Sequence, residues 1–209
     1  MKFKLYFRKS SFKKDKESAQ ILLEEIDNYK PKIFLEVGVF QGVTARNVCE
    51  KLNSIYKGNF EYHGIDIFED SNKILEQKEM TTKHNKISNP INNLIFNFIL
   101  KQNLNSYNSV SKLLKKFEKN IYLYRGLSSD MLPKTNISKI DFVFLDGGHS
   151  YETVKNDLSL ILKNIKKNKI VICDDYNQKH YGVKKAVDEL FGKVTEIKEL
   201  NKRLVKITS

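Results

Sequence analysis

The feature that most constrains the fold is a strand-like run, a glycine turn and a helix-like run that follow one another over residues 33–55. Apolar residues after the turn recur at steps of three and four, at Ala45, Val48, Leu52 and Ile55. Gly38 and Gly42 let the backbone turn tightly and approach a ligand, because glycine has no Cβ. A helix that begins near Thr44 points unpaired N–H groups at the same place, which favours an anionic group. The stretch predicts a nucleotide-like ligand at the carboxyl edge of a parallel sheet, with an ordinary strand-to-helix turn as the alternative.

Further strand-like and helix-like runs alternate along the chain. Strands are predicted at 32–37, 60–67, 121–124, 141–145 and 169–173, with a terminal antiparallel pair at 193–197 and 203–207. Helices are predicted at 14–29 and around the apolar residues that follow Thr44, Tyr151 and Tyr181. This order predicts an α/β fold with a doubly wound, mostly parallel, seven-stranded sheet and a C-terminal antiparallel strand pair. At 209 residues the chain fits a single domain.

Residues 70–120 are too long for a simple crossover between two strands. They contain Asn-rich turns around Pro90, an apolar patch at 94–100 and an amphipathic helix around Val110, Leu113, Leu114 and Phe117. Part of the segment is predicted to be the crossover helix. The rest is predicted to be a lid that selects the substrate, or else a contact in a homodimer.

The composition narrows the class of partner. The formal charge is 37 − 25 = +12, but the lysines are dispersed and arginine is scarce, which favours a solvated surface over a nucleic-acid groove. No apolar run is long enough for a membrane span, and residues 1–14 do not have the apolar core of a signal peptide. Cys49 and Cys173 fall in a predicted helix and a buried strand, which predicts free thiols and a cytoplasmic location.

Two segments at predicted strand ends suit a nucleoside. Asp66 lies 66 − 38 = 28 residues after Gly38, where a carboxylate can accept hydrogen bonds from both ribose hydroxyls, and Ile67 follows it. The alternative is that Asp66 only caps the following loop. Ser128, in the turn after the third strand, is predicted to lie beside an adenine ring, although serine-rich turns are common.

Three carboxylates are predicted to converge at the same edge of the sheet. Asp146 follows the fourth strand, and Asp174 and Asp175 follow the fifth. Like charges gathered there raise one another's pKa unless a cation neutralises them, and hard oxygen ligands favour Mg²⁺, or Mn²⁺ or Ca²⁺. The alternative is that they cap turns or helices. His149 is predicted to be a general base, or a hydrogen-bonded loop histidine, and His180 to contact substrate.

Together these residues resemble a class I S-adenosylmethionine-dependent methyltransferase. The segment 146–151, Asp-Gly-Gly-His-Ser-Tyr, and the pair Asp174-Asp175 resemble more narrowly a group of small-molecule O-methyltransferases. The resemblance spans about Ile33 to Leu190 and implies a Rossmann-like fold. It implies that the methionine part of S-adenosyl-L-methionine lies on the glycine turn. The expected cofactor-binding residues are Glu36, Gly38, Val39, Phe40, Gln41, Gly42, Thr44, Asp66, Ile67, Ser128 and Asp146.

The resemblance also implies the chemistry. Related sugar and catechol O-methyltransferases hold a divalent metal on the residues that match Asp146, Asp174 and Asp175, although some relatives with similar motifs need none, and proteins of the cephalosporin-hydroxylase kind share these carboxylates. We expect methyl transfer to a hydroxyl of a small molecule, such as a sugar or glycan, with His149 and Asp146 as catalytic residues. The alternatives are an RNA methyltransferase, which would use the basic surface, and a non-catalytic module of the same fold.

Overall fold

A computed structural model of the chain describes residues 1–68, 103–190 and 193–209, and these residues contain a seven-stranded sheet. The strands are β1 (Ile33–Val37), β2 (Glu61–Asp66), β3 (Ile121–Arg125), β4 (Phe142–Leu145), β5 (Ile170–Cys173), β6 (Glu196–Glu199) and β7 (Val205–Thr208). Their order across the sheet is β3-β2-β1-β4-β5-β7-β6. The first five strands are parallel, and β7 and β6 run antiparallel to their neighbours. The predicted fold class is therefore confirmed.

Helices connect the parallel strands and cover both faces of the sheet. They are α1 (Lys16–Tyr29), α2 (Val43–Tyr56), α3 (Tyr107–Leu114), the one-turn α4 (Ser128–Met131), α5 (Tyr151–Asn164) and α6 (Tyr181–Asp188). The first five strands begin and end within about one residue of their predicted bounds. The pattern is clearest in β4 and β5, where all residues are apolar and buried. Strand β6 was predicted at 193–197 but begins at Glu196, since it carries mostly exposed side chains and gives a weak pattern.

The core has two layers, one on each face of the sheet. Alternate residues of β1 divide between them, so that Phe34 joins the layer under α1 and α2, and Leu35 joins the layer under α5 and α6. Phe34 stacks on Phe142 at 5.1 Å and on Tyr62 at 6.2 Å between ring centroids. Strands β4 and β5 are buried on both faces, as predicted, so they give the sheet edge a rigid base.

The described part of the long segment confirms the crossover helix. Helix α3 packs against α2, and the side chains of Val110 and Leu113 lie beside Gly42. Residues 69–102, which contain most of the predicted lid, lie outside the described residues, so the lid and the homodimer contact stay predictions. Cys49 and Cys173 are both buried free thiols, as predicted. Among the described residues, no helix has the length and apolar character that crossing a bilayer requires.

The N-terminal segment, defined here as residues 8–14, crosses the carboxyl edge of the sheet. Phe12 is buried in the first core layer, 5.9 Å from the Phe144 ring. Arg8 donates hydrogen bonds to the carbonyl oxygens of Gln41, Leu104 and Ser109, each at 3.0 Å. A guanidinium with three carbonyl partners fixes the segment to the turn after β1 and to the start of α3.

Candidate active site

A cleft of about 810 Å³ opens at the carboxyl ends of β1 to β5, and its size suits a small-molecule site. Residues from five strand-end loops line it, because parallel strands present their carboxyl ends at one edge. Most residues predicted to bind the cofactor lie in its wall. They are Gly38, Val39, Phe40, Gln41, Thr44, Asp66, Ile67, Ser128 and Asp146.

Gly38, directly after β1, lies against the backbone of Asp146, directly after β4. Its φ is +94°, and a Cβ built there would lie 2.0 Å from the carbonyl oxygen of Asp146. Glycine at position 38 is therefore required by a contact within the protein, in addition to the turn that the sequence predicted. Gly42, the N-cap of α2, has φ +76°, and its Cβ would meet Val110 at 3.0 Å on the α3 side.

Asp66 caps its own loop, which is the alternative that the sequence left open. One carboxylate oxygen accepts a hydrogen bond from the backbone N–H of Phe40 at 2.7 Å, and the other accepts from Phe68 at 2.8 Å. Asp66 thus also holds the glycine turn, where Phe40 has a positive φ of 49°. Asp66 lines the cleft as well, and ribose binding stays a prediction.

Glu36 lies outside the cleft wall. Strand alternation turns its side chain to the face of the sheet that carries Phe34 and Tyr62. It is 1% exposed and accepts a hydrogen bond of 2.5 Å from the hydroxyl of Tyr62. Burial raises the pKa of Glu36 to about 8, against the lowering effect of that hydrogen bond. The role of Glu36 in cofactor binding stays a prediction.

The predicted convergence of the three carboxylates is confirmed. Strands β4 and β5 are parallel neighbours with Leu145 opposite Cys173, so the next residues emerge side by side. One oxygen each from Asp146, Asp174 and Asp175 lies within 4.8 Å of the others. These three residues are called the acidic cluster below.

Arg203, which the sequence analysis missed, lies within the acidic cluster. Its Nη2 donates to Oδ2 of Asp174 at 2.5 Å, its Nε donates to Oδ1 of the same carboxylate, and Nε lies 3.5 Å from Asp175 Oδ1. Arg203 belongs to the turn before β7, and β7 pairs antiparallel with β5. Placing the predicted strand at 203–207 beside the fifth strand would have revealed this neighbour.

The electrostatics of the cluster follow from burial and from these partners. Burial raises the pKa of Asp146 well above its usual range, and the charges of Asp174 and Asp175 add to this effect. Burial also raises the pKa of Asp174, against the hydrogen bonds and charge of Arg203. Burial acts in the same direction on Asp175, but the hydrogen bond from His149 and the charges of Arg203 and His180 lower its pKa overall.

A divalent cation fits the donor types of the acidic cluster but does not fit its present arrangement. Three carboxylates at this spacing are suitable ligands for Mg²⁺. However, Arg203 binds both oxygens of Asp174. The guanidinium of Arg203 thus supplies the positive charge that was expected from a metal ion. Magnesium binding stays a prediction.

His149 lies at the rim of the cleft and contacts the acidic cluster. Its Nε2 is 3.0 Å from Oδ2 of Asp175, and the side chain is half exposed. His180 Nδ1 lies 3.8 Å from the same oxygen, with its ring 4.6 Å from the His149 ring and outside the cleft wall. Glycine at position 182 permits the close approach of the two backbones, since a Cβ there would lie 2.5 Å from the carbonyl oxygen of His149. Gly182 was not predicted from the sequence.

The N-terminal segment forms the wall opposite the strand ends, which the sequence analysis also missed. Lys9, Ser10, Ser11, Lys13 and Lys14 all line the cleft. The hydroxyl of Ser11 donates to Asp146 Oδ2 at 2.9 Å, and the carbonyl of Ser11 accepts from Arg203 Nη1 at 3.0 Å. Three basic side chains therefore line the same cleft as Asp146 and Asp175.

The comparisons agree with this geometry. A family model described as "Methyltransferase domain" matches residues 35–176, which include the glycine turn, Asp66 and the acidic cluster. Among curated protein sequences, none matches this chain.

Solved structures share the fold at low sequence identity. The O-methyltransferase NovP superposes with a TM-score of 0.63 at 17% identity, over 92% of this chain and 78% of that one. A Podospora anserina methyltransferase bound to S-adenosylhomocysteine gives 0.61 at 14% identity, over 91% and 77%. An O-methyltransferase from Bacillus cereus, also in complex with S-adenosylhomocysteine, gives 0.60 at 11% identity, over 98% and 84%.

Proposed function

Since the chain belongs to the methyltransferase family whose model matches residues 35–176, we propose that it transfers a methyl group from S-adenosyl-L-methionine to a hydroxyl of a small molecule. One observation carries the proposal. The glycine turn and Asp66 line the same cleft as Asp146 and His149. A methyl donor bound at the first pair of features would therefore lie next to an acceptor bound at the second.

The cofactor is proposed to lie along the ends of β1 to β3. Asp66 would bind the ribose, and Ile67, Leu127 and Ser128 would surround the adenine, since all four line the cleft at the carboxyl ends of the neighbouring strands β2 and β3. The turn at 38–42 would hold the methionine part. Structural neighbours that hold S-adenosylhomocysteine support this cofactor, as the demethylated donor is the product of such a reaction.

His149 is proposed to be the general base. When Nε2 of His149 carries the proton and donates a hydrogen bond to Asp175, Nδ1 keeps its lone pair. Nδ1 can then take the proton from the hydroxyl of the acceptor. The acceptor oxygen then forms a bond to the methyl carbon while the bond from carbon to sulfur breaks. Asp146, whose pKa burial raises, is the second candidate for proton transfer. Positioning two ligands in one cleft would supply much of the rate.

Magnesium, or Mn²⁺ or Ca²⁺, is the further cofactor that the resemblance implies. The closeness of Asp146, Asp174 and Asp175 supports it, and a divalent ion bound there would lower the pKa of a coordinated hydroxyl. The pairing of Arg203 with Asp174 weighs against it. None of the roles proposed for His149, Asp66 or the glycine turn depends on a metal.

The remaining assignments stay predictions of the same proposal. A sugar or glycan acceptor, a homodimer and a cytoplasmic location agree with the sequence. The three lysines that line the cleft, Lys9, Lys13 and Lys14, would attract an acidic small molecule as readily as they would attract nucleic acid.

Two measurements test the proposal. Calorimetric titration with S-adenosylhomocysteine is expected to show one site per chain, and Asp66→Ala is expected to weaken it. Transfer of a labelled methyl group to a panel of phenolic and sugar hydroxyls is then expected to fall to background in His149→Ala. Absence of cofactor binding in the wild-type protein would reject the proposal.

A further inference from the structure

We propose that Arg203 is the resident cation of the acidic cluster and occupies the place of a divalent metal. Only the role of Arg203 in catalysis rests on the proposed function. Which cation Asp146, Asp174 and Asp175 bind is independent of it.

The donors around the cluster leave little for a metal ion. Both oxygens of Asp174 accept from Arg203, one at 2.5 Å, and Oδ1 also accepts from the backbone N–H of Asp175 at 2.8 Å. The two oxygens of Asp175 face Arg203 Nε at 3.5 Å and His149 Nε2 at 3.0 Å. Oδ2 of Asp146 accepts from Ser11 at 2.9 Å. Five of the six carboxylate oxygens therefore already face a nitrogen or hydroxyl donor.

Arg203 is fixed in this position by the fold. Its Nη1 donates to the Ser11 carbonyl at 3.0 Å, and its guanidinium carbon lies 5.1 Å from the centre of the Phe12 ring. Its own carbonyl accepts from the backbone N–H of Tyr176 at 2.8 Å, directly after the acidic pair. Contacts on four sides make the guanidinium part of the packed structure, unlike an exposed side chain that could move aside at little cost.

A metal ion and the guanidinium would compete for the same oxygens. Asp174 is 2% exposed, so its charge needs a partner inside the protein. A divalent ion requires oxygen contacts of about 2.0–2.6 Å, which would bring it against the nitrogens that already bind Asp174. Two cations cannot both occupy that position. Arg203 is already held in place by the chain, whereas a divalent ion would first have to lose part of its hydration shell.

For the proposed reaction, the consequence is a methyl transfer that needs no divalent metal. Arg203 lines the cleft and contacts Asp175, as the proposed base His149 does, so its positive charge lies near the oxygen that His149 would deprotonate. There it lowers the free energy of an oxygen that is losing its proton. The same guanidinium holds the N-terminal segment over the cleft through Ser11.

The decisive experiment measures Mn²⁺ binding by electron paramagnetic resonance and thermal shift, without any turnover. We expect no saturable Mn²⁺ site in the wild-type protein at millimolar metal, and no change in Tm. Arg203→Ala is expected to gain one site, with Mn²⁺ raising its Tm. Arg203→Lys, which keeps the charge, is the matched control and is expected to stay indifferent to metal.

Three outcomes would overturn the inference. The first is saturable Mn²⁺ binding by the wild-type protein that Asp174→Asn abolishes, which decides the question even if Arg203→Ala does not fold. The second is a folded Arg203→Ala that gains no site. The third is wild-type methyl transfer that a chelator stops and Mg²⁺ restores. Failure of S-adenosylhomocysteine to bind would remove the proposed function and leave the Mn²⁺ result standing.

Discussion

The two halves of the cleft are built in different ways. The proposed cofactor half consists of loops that directly follow β1, β2 and β3 and that contact one another, as between Asp66 and Phe40. The proposed acceptor half depends on contacts between distant parts of the chain. Ser11 contacts Asp146, 135 residues away, and Arg203, 192 residues away. A half built from local segments can be recognised in the sequence, whereas a half built from distant ones depends on the topology.

The largest effect is expected from a substitution at Gly38, whose contact with Asp146 joins the two halves. Gly38→Ala would place a Cβ 2.0 Å from the carbonyl oxygen of Asp146, so the backbone of β1 or β4 must move. We expect a loss of roughly 3 kcal/mol or more in the free energy of unfolding, measured by urea denaturation.

Gly58→Ala is the matched control for that substitution. Gly58 also has a positive φ, +92°, but nothing lies within 4 Å of its added Cβ. Only backbone strain of about 1 kcal/mol should remain. Equal losses at positions 38 and 58 would show that strain, and not the contact with Asp146, makes glycine necessary.

The next prediction concerns the buried carboxyl of Glu36, in the strand that precedes the glycine turn. The pKa of Glu36 is raised to about 8 in the folded protein from an ordinary value of 4.5, so the folded chain holds a proton that the unfolded chain releases. The stability that Glu36 contributes is therefore full below pH 4.5 and is lost as the pH rises to about 8. Glu36→Gln removes this dependence and still accepts a hydrogen bond from Tyr62. Relative to wild type, its stability should grow with pH, by up to roughly 3 kcal/mol at pH 7.

Denaturation curves at pH 5, 6, 7 and 8 would measure that trend. Glu24→Gln, an exposed change on α1, is the control and should give a constant difference. A constant difference for Glu36→Gln as well would mean that the Glu36 carboxyl is ionised in the folded protein.

A smaller effect separates cofactor binding from the acceptor half. Asp66→Asn keeps one carbonyl oxygen but loses the charge that binds Phe40 and Phe68. We expect a loss of about 1.5–3 kcal/mol in S-adenosylhomocysteine affinity, measured by calorimetry. The exposed change Asp130→Asn should leave the affinity unaltered. Unchanged affinity in Asp66→Asn would remove the proposed ribose contact.

The smallest effect is confined to the acceptor half. Ser11→Ala removes the hydrogen bond to Asp146 and leaves the backbone contact of Ser11 with Arg203. We expect cofactor affinity to stay the same and kcat/KM for the acceptor to fall by the equivalent of about 1 kcal/mol. Ser138→Ala, outside the cleft, is the control. A loss of cofactor affinity in Ser11→Ala would contradict the division into two halves.

Most of the fold and the cofactor half could be predicted from sequence for one physical reason. Buried parallel strands are nearly uniform apolar runs, and the residues that end them must emerge at one edge. That reasoning located Asp66, Asp146, Asp174 and Asp175 correctly. The expected role of Glu36 came from the family resemblance instead, and alternation along β1 puts Glu36 on the same face as the core residue Phe34.

Arg203 and Ser11 could not be found in this way, because their positions depend on how the ends of the chain are arranged. Strand β7 lies between β5 and β6, and this placement carries the preceding turn to the acidic cluster. Ser11 reaches the same place because Phe12 is buried against Phe144. Neither position has a local signature, since a polar residue in a turn is ordinary.

The contact between Gly38 and Asp146 has a consequence for substrate choice. Because the backbones after β1 and β4 touch without an intervening side chain, the spacing between the glycine turn and the loop that begins at Asp146 is set by the main chain. Under the proposed function, replacing side chains on these two strands would not widen that gap to admit a bulkier acceptor. Acceptor choice would then depend on other segments at the cleft, such as the N-terminal segment that contains Ser11 and the lid predicted within 70–120.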